Sequence, residues 1–181
     1  MANNDYPHGL NAVMSKVHDT PRMSQYLAGT TTAIFRGDVL TLKTNGRVAR
    51  TTTPAGADNI IGVSNNYIAA GVAPPADVWV YDDPDTIFEI QSDGTTDPGA
   101  STAQAHIGAG ANIIYAAGDT GSGQSKVELD YSSIAAAVTT SGGIPIRVVG
   151  HYNIAGNDMT LMHARYLVQF NRTLNYQGRA I

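Results

Sequence analysis

Hydrophobic and polar positions alternate over short stretches along most of the chain. In Gly37-Asp38-Val39-Leu40-Thr41-Leu42-Lys43-Thr44, Leu40 and Leu42 share one face while Thr41 and Lys43 take the other. That period of two is the mark of a strand with one wet side. Asn45-Gly46 follows, and then Arg47-Val48-Ala49-Arg50-Thr51. An Asn-Gly pair between two such runs predicts a hairpin closed by a type I′ turn, which needs positive φ at both central residues. Further strands are predicted at 60–67, 78–81, 87–91, 112–116, 126–130, 144–152 and 164–174. Val78-Trp79-Val80-Tyr81 is continuously apolar, which places Trp79 and Tyr81 in the core or at a subunit interface. In Lys126-Val127-Glu128-Leu129 charged and apolar residues alternate, and in the last strand Tyr166, Val168 and Phe170 face away from Arg165, Leu167 and Gln169. Eight or nine strands joined by turns predict an all-β fold, an antiparallel β-sandwich or barrel.

The first 24 residues read differently. Pro7 and Pro21 punctuate them, and only Leu10, Val13, Met14 and Val17 recur, at helical spacing. A helix of so few turns does not hold alone. Residues 1–24 are therefore expected to form an extended N-terminal arm, ordering against a partner or its own domain, with 25–181 as the β-rich domain. Residues 132–138 are the other helical candidate, and no repeat of 20–50 residues occurs.

Composition narrows the choices. Of 181 residues 43 % are hydrophobic, enough to bury a core. No run of eighteen apolar residues occurs, so no transmembrane helix is expected. The start, MANNDYPHGLNAV, lacks the basic and apolar stretches of a signal peptide. Without cysteine there is no disulfide, Cys-zinc site or thiol chemistry. Charged residues are only 14 %, against about 25 % in an average domain. They are also segregated: residues 51–145 hold eleven acids and one base, net −10, whereas the flanks hold ten bases and four acids, net +6. Such a bipolar molecule can dock a basic end on something acidic. No concentrated Lys/Arg cluster marks a nucleic-acid partner.

Candidate chemistry is thin. Gly118-Asp119-Thr120-Gly121-Ser122-Gly123-Gln124-Ser125 has the glycine spacing of a phosphate-binding loop, but Gln124 stands where the lysine should be. Asp119-Thr120-Gly121-Ser122 matches the tetrapeptide of an aspartic protease, whose chemistry needs a second carboxylate sharing the proton; only a homodimer would supply it. Asp82-Asp83-Pro84-Asp85 offers oxygens to a cation without calcium-loop spacing, so a solvated turn is expected. The five histidines show no metal-ligand spacing, and His151 reads as a packed or interfacial imidazole. G-x-S-x-G does not occur, and Asn171-Arg172-Thr173 is a glycosylation sequon by sequence alone. No cofactor, metal or catalytic residue is expected.

The order of segments resembles a family of head decoration (cement) proteins of tailed bacteriophages. The resemblance is carried by Pro7-His8-Gly9-Leu10, Ile34-Phe35-Arg36-Gly37-Asp38-Val39, Ile61-Gly62-Val63, Val80-Tyr81-Asp82-Asp83-Pro84, Phe88-Glu89-Ile90-Gln91-Ser92-Asp93-Gly94, 123–130 and Leu167-Val168-Gln169-Phe170-Asn171. It covers most of the chain, and its specificity lies in the ordered set of motifs. The loop after Tyr67 is shorter than in the family, with Pro74-Pro75 in place of an aromatic stretch. What the resemblance implies is a non-enzymatic virion protein, made in the bacterial host cytoplasm. It would sit on the outer capsid surface as a symmetric oligomer, a homotrimer by expectation, bound to the major capsid protein, with no nucleic-acid or membrane partner. Pro7, Leu10 and Val13 of the arm, with Arg22, Arg36, Arg47, Arg50 and Arg165, are then expected to touch the capsid, and Trp79 and Tyr81 the neighbouring subunit or the core. The alternatives are a host-recognition or glycan-binding module of a phage tail or fibre and, third, a protease dimer.

Overall fold

The computed structural model describes residues 3–29, 32–52, 59–71, 76–94, 97–99, 104–134, 145–171 and 173. The strands are β1 (Asn11–Ser15), β2 (Ser24–Leu27), β3 (Val39–Leu42), β4 (Val48–Arg50), β5 (Ile60–Ser64), β6 (Asp77–Tyr81), β7 (Thr86–Gln91), β8 (Gly110–Ala111), β9 (Ile113–Ile114), β10 (Glu128–Leu129), β11 (Ile146–His151) and β12 (Arg165–Phe170). Two antiparallel five-stranded sheets, β1-β7-β12-β11-β8 and β2-β6-β5-β3-β4, pack against each other, with β9 and β10 paired separately. The fold is all-β and sandwich-like, as the alternation implies. Helical structure among the described residues is confined to a 3-10 turn at Tyr131–Ser133 and to residues 104 and 105. Of the 132–138 helical candidate, 135–138 lies outside the described residues.

The second sheet curls. Past β2, Ala28 forms a parallel bridge with Val48 of β4, and the Gly29 amide donates to the Val48 carbonyl at 2.8 Å. The sheet's two outer strands thereby meet and enclose a small core of Leu40, Val48, Ile61, Val78 and Val80, with Ile34 and Ile68 packed in. The register of β3 against β5 shifts between Leu40 and Thr41, and bulges of this kind increase local twist and favour such curling. The main core lies between the sheets: Val39, Ile60 and Val63 meet Phe88, Ile90, Ile146, Val148, Tyr166, Val168 and Phe170.

Several expectations need correction. The β3–β4 hairpin forms, but the Lys43 amide donates to the Arg47 carbonyl and the Gly46 amide to the Lys43 carbonyl. Only Gly46 has positive φ (74°), with Asn45 accepting from the Arg47 amide instead. This is the longer loop with a left-handed glycine, not a two-residue type I′ turn. The strand expected at 112–116 is broken: β8 pairs with β11 and β9 with β10. The partner change falls at Asn112, whose amide donates to Ser133 Oγ while its carbonyl accepts from the Asp130 amide. The acidic turn is not solvated. Asp83 accepts from Ser15 Oγ and the Asp85 amide, and Asp82 from the Tyr26 hydroxyl, and both aspartates are buried.

No helix forms at Leu10–Val17. Residues 11–15 are instead β1, an edge strand antiparallel to β7, with Asn11 opposite Glu89 and Ala12 opposite Phe88. Residues 3–8 continue over the outer face of that sheet. The segment read as an arm is thus built into the body of the fold.

Candidate functional site

The outer face of the first sheet is where polar chemistry collects. Facing the solvent side of β7 are Glu89 and Gln91, and of β12 Arg165 and Gln169, as the alternation predicts for residues opposite Phe88, Ile90, Tyr166 and Val168. Yet Glu89, Gln91 and Gln169 are buried, because residues 3–8 and the loop around Pro84 cover them. Gln91 holds the covering segment: its Nε2 donates to the Asn4 and His163 carbonyls, and its Oε1 accepts from the Tyr6 amide. Asn3 anchors the far end, donating to the Asp158 and Met162 carbonyls and accepting from the Asp158 amide.

Glu89 is the centre of the ionic group. Its carboxylate accepts from His8 Nε2 at 2.8 and 3.0 Å and from Asn11 Nδ2 at 3.3 Å, with Arg165 Nε at 3.5 Å. His8 Nδ1 lies 2.9 Å from the Tyr6 carbonyl, which only accepts. One ring nitrogen faces an acceptor-only carbonyl and the other a carboxyl group, a setting that favours the imidazolium. Burial alone would lower its pKa, but the hydrogen bonds to Glu89 and Tyr6 and the Glu89 charge outweigh burial and hold it above the ordinary value. Through His8 and Asn11, Glu89 latches the N-terminal segment to the sheet. An open groove of about 540 Å³ runs alongside, lined by Tyr6, His8, Val13, Gln124, Tyr152 and Arg165 among others.

The expected contact residues scatter. Leu10 is only 2 % exposed, packed in the main core with its amide donating to the Gly37 carbonyl, so it presents no surface to a partner. Pro7 and Val13 are half-buried, and Val13 shares the groove with Arg165. Arg50 is held inside, 4.0 Å from Asp38 Oδ2 and over the Phe35 ring. Arg165 serves Glu89 and Arg36 donates to Gln124 Oε1, while Arg22 is exposed and Arg47 half-buried. Asp38 is fully buried and accepts from Ser125 Oγ and the Phe35 amide; burial nonetheless raises its pKa.

Trp79 is not a core residue. It is 45 % exposed, because β6 alternates and only Val78 and Val80 turn into the small core. Gln25 lies directly opposite it on β2 and Leu27, 40 % exposed, is diagonal to it. Tyr81, two residues on, packs edge-to-face on Phe88 and donates to Asn65 Oδ1. The face of β6 that meets the first sheet at Tyr81 therefore runs past it and emerges as an apolar ledge of Trp79 and Leu27. A second exposed apolar strip, Met14 and Val17, lies on and just beyond β1.

The protease-like loop is occupied with its own geometry. Asp119 accepts from the Gly121 amide and Ser122 Oγ on an exposed turn, and those hydrogen bonds hold its carboxyl below the ordinary value. An exposed carboxylate engaged by its own turn lacks the closely paired second carboxylate that this chemistry needs. His151 is packed, edge-on to the Tyr166 ring. Sequence reasoning missed Glu89, Gln91 and His8 as an organised group; Glu89 and Gln91, alternating with Phe88 and Ile90 on a strand whose six residues are all buried, were the available signal. No protein-family model matches this chain, and no curated protein matches it.

Proposed function

We propose that the chain is a non-enzymatic structural protein of a tailed-phage virion that decorates and cements the capsid by binding the major capsid protein lattice, as a homo-oligomer on the outer shell. The reading rests on the ordered sequence motifs, and the observation that best supports it is the exposed pair Trp79 and Leu27 on a sparsely charged β body. Exposed tryptophan is enriched among the residues that dominate protein–protein contacts. Removing residues 2–20 is not a clean test, because it removes β1 and the buried Leu10. The cleaner experiment mixes undecorated heads with wild type or with Trp79→Ser/Leu27→Ser and measures co-sedimentation. Wild type should saturate at a simple ratio to the capsid subunit, and the folded double variant should fail to bind. Equal binding by both overturns the assignment of the ledge, and no binding by wild type overturns the function.

A second reading, a glycan-binding module of a tail or fibre, is favoured by one observation: Trp79 stands exposed beside polar neighbours, Gln25 and Asp77. Selective hits on a glycan array, lost in Trp79→Ala, would replace the first reading with this one.

A further inference from the structure

Three side chains from distant parts of the chain converge under the N-terminal segment. Asp5, Glu128 of β10 and His163 place one ligand atom each within 4.8 Å of one another. His163 Nδ1 lies 3.6 Å from Asp5 Oδ1, is shielded from solvent, and has no hydrogen-bond partner. A buried polar atom without a hydrogen-bond partner calls for an explanation, and here it belongs to an imidazole grouped with two carboxylates. The scaffold around it is fixed. Gln91, itself buried, bonds the residues on either side of Asp5 and also the His163 carbonyl, so one side chain sets the position of two of the three groups. Gly94 leaves the space that the ring occupies, since a Cβ there would collide with His163 where it now stands. Nearby, Asp93 Oδ1 accepts from the Tyr131 amide.

We propose that Asp5, Glu128 and His163 bind a divalent transition-metal ion, Zn²⁺ being the best fit. One imidazole and two carboxylates form a mixed nitrogen–oxygen set of the kind zinc accepts, with positions left for water. A bound cation's charge would offset the repulsion between the two carboxylates that the fold brings together. Outer groups that fix ligand orientation, as Gln91 does here, are a regular part of metal sites. Bound metal would tie residues 3–8 to β10 and to the loop before β12.

The test is calorimetric titration of ZnCl₂ into untagged, metal-free protein at neutral pH, with thermal melts run in parallel. One ion per chain and a raised Tm are expected. Asp5→Asn, Glu128→Gln and His163→Gln should each weaken binding by about tenfold or more, while Asp77→Asn on β6 should not. Asp5 is 65 % exposed, so Asp5→Asn leaves the fold intact and keeps the test decisive. No saturable Zn²⁺ heat, equal affinity in the three variants, or binding of Ca²⁺ without Zn²⁺ would each overturn the proposal, the last because it excludes the imidazole.

Discussion

The two faces of the first sheet are both buried, by opposite chemistry. The inner face is Phe88, Ile90, Val148, Tyr166, Val168 and Phe170, with Phe88 set edge-on to Phe170 at 5.6 Å. The outer face is Glu89 and Gln91, sealed by residues 3–8, and Gln169, sealed by the loop around Pro84, each cover bringing hydrogen-bond partners. Apolar burial is non-directional and tolerates neighbours of roughly the right volume. Polar burial succeeds only if each group finds its own partner in place. The inner face therefore holds the fold together, and the outer face decides where residues 3–8 lie.

Substitutions separate the two roles. Phe88→Ala, which opens a cavity where the two sheets meet, should cost about 3–5 kcal/mol in urea denaturation and lower the stability of the whole domain. Glu89→Ala should cost less, about 1–3 kcal/mol, and act first on the N-terminal segment, seen as faster amide exchange at residues 6–12. Its effect should also depend on pH. The folded pKa of His8 is raised, so its stabilising contribution is complete below the unfolded value and is lost as pH rises through the folded one. The stability gap between wild type and Glu89→Ala should therefore be wider at pH 6 than at pH 9, and a gap that grew with pH would refute the imidazolium assignment. Asn11→Ala removes a single 3.3 Å bond to the same carboxylate and should cost about 0.5–1.5 kcal/mol. Smallest of all, Val17→Asp, at an exposed site beyond β1, should change stability by no more than about 0.5 kcal/mol; a larger change would mean that the strip is covered in solution.

The same contrast explains what the sequence disclosed. Leu40 and Leu42, Val127 and Leu129, and the Tyr166-Val168-Phe170 set were readable because alternation reports which side of a strand meets a core. Of the two places expected for Trp79, the core is excluded by its exposure, and the sequence left the choice open because four apolar residues in a row conceal which two point inward. β1 was misread because Leu10, Val13, Met14 and Val17 fit a helical period while a bulge between Ala12 and Met14 breaks the strand's own alternation. The buried polar group was harder still. Nothing local to Glu89 says that His8, 81 residues away, will cover it. The same holds for Asp5, Glu128 and His163, which only the tertiary fold brings together.

Chain order also gives the two sheets different histories during synthesis. The strands of the curled sheet lie within residues 24–81 and can pair soon after they leave the ribosome. β1 emerges before any of them, yet its partner β7 begins only at Thr86, and β12 arrives later still. Long-range pairing of this kind is slow, because the intervening loop must close first. Until β7 has been made, β1 stays unpaired and partly apolar, the interval in which its association with a holding factor or a sister chain is easiest.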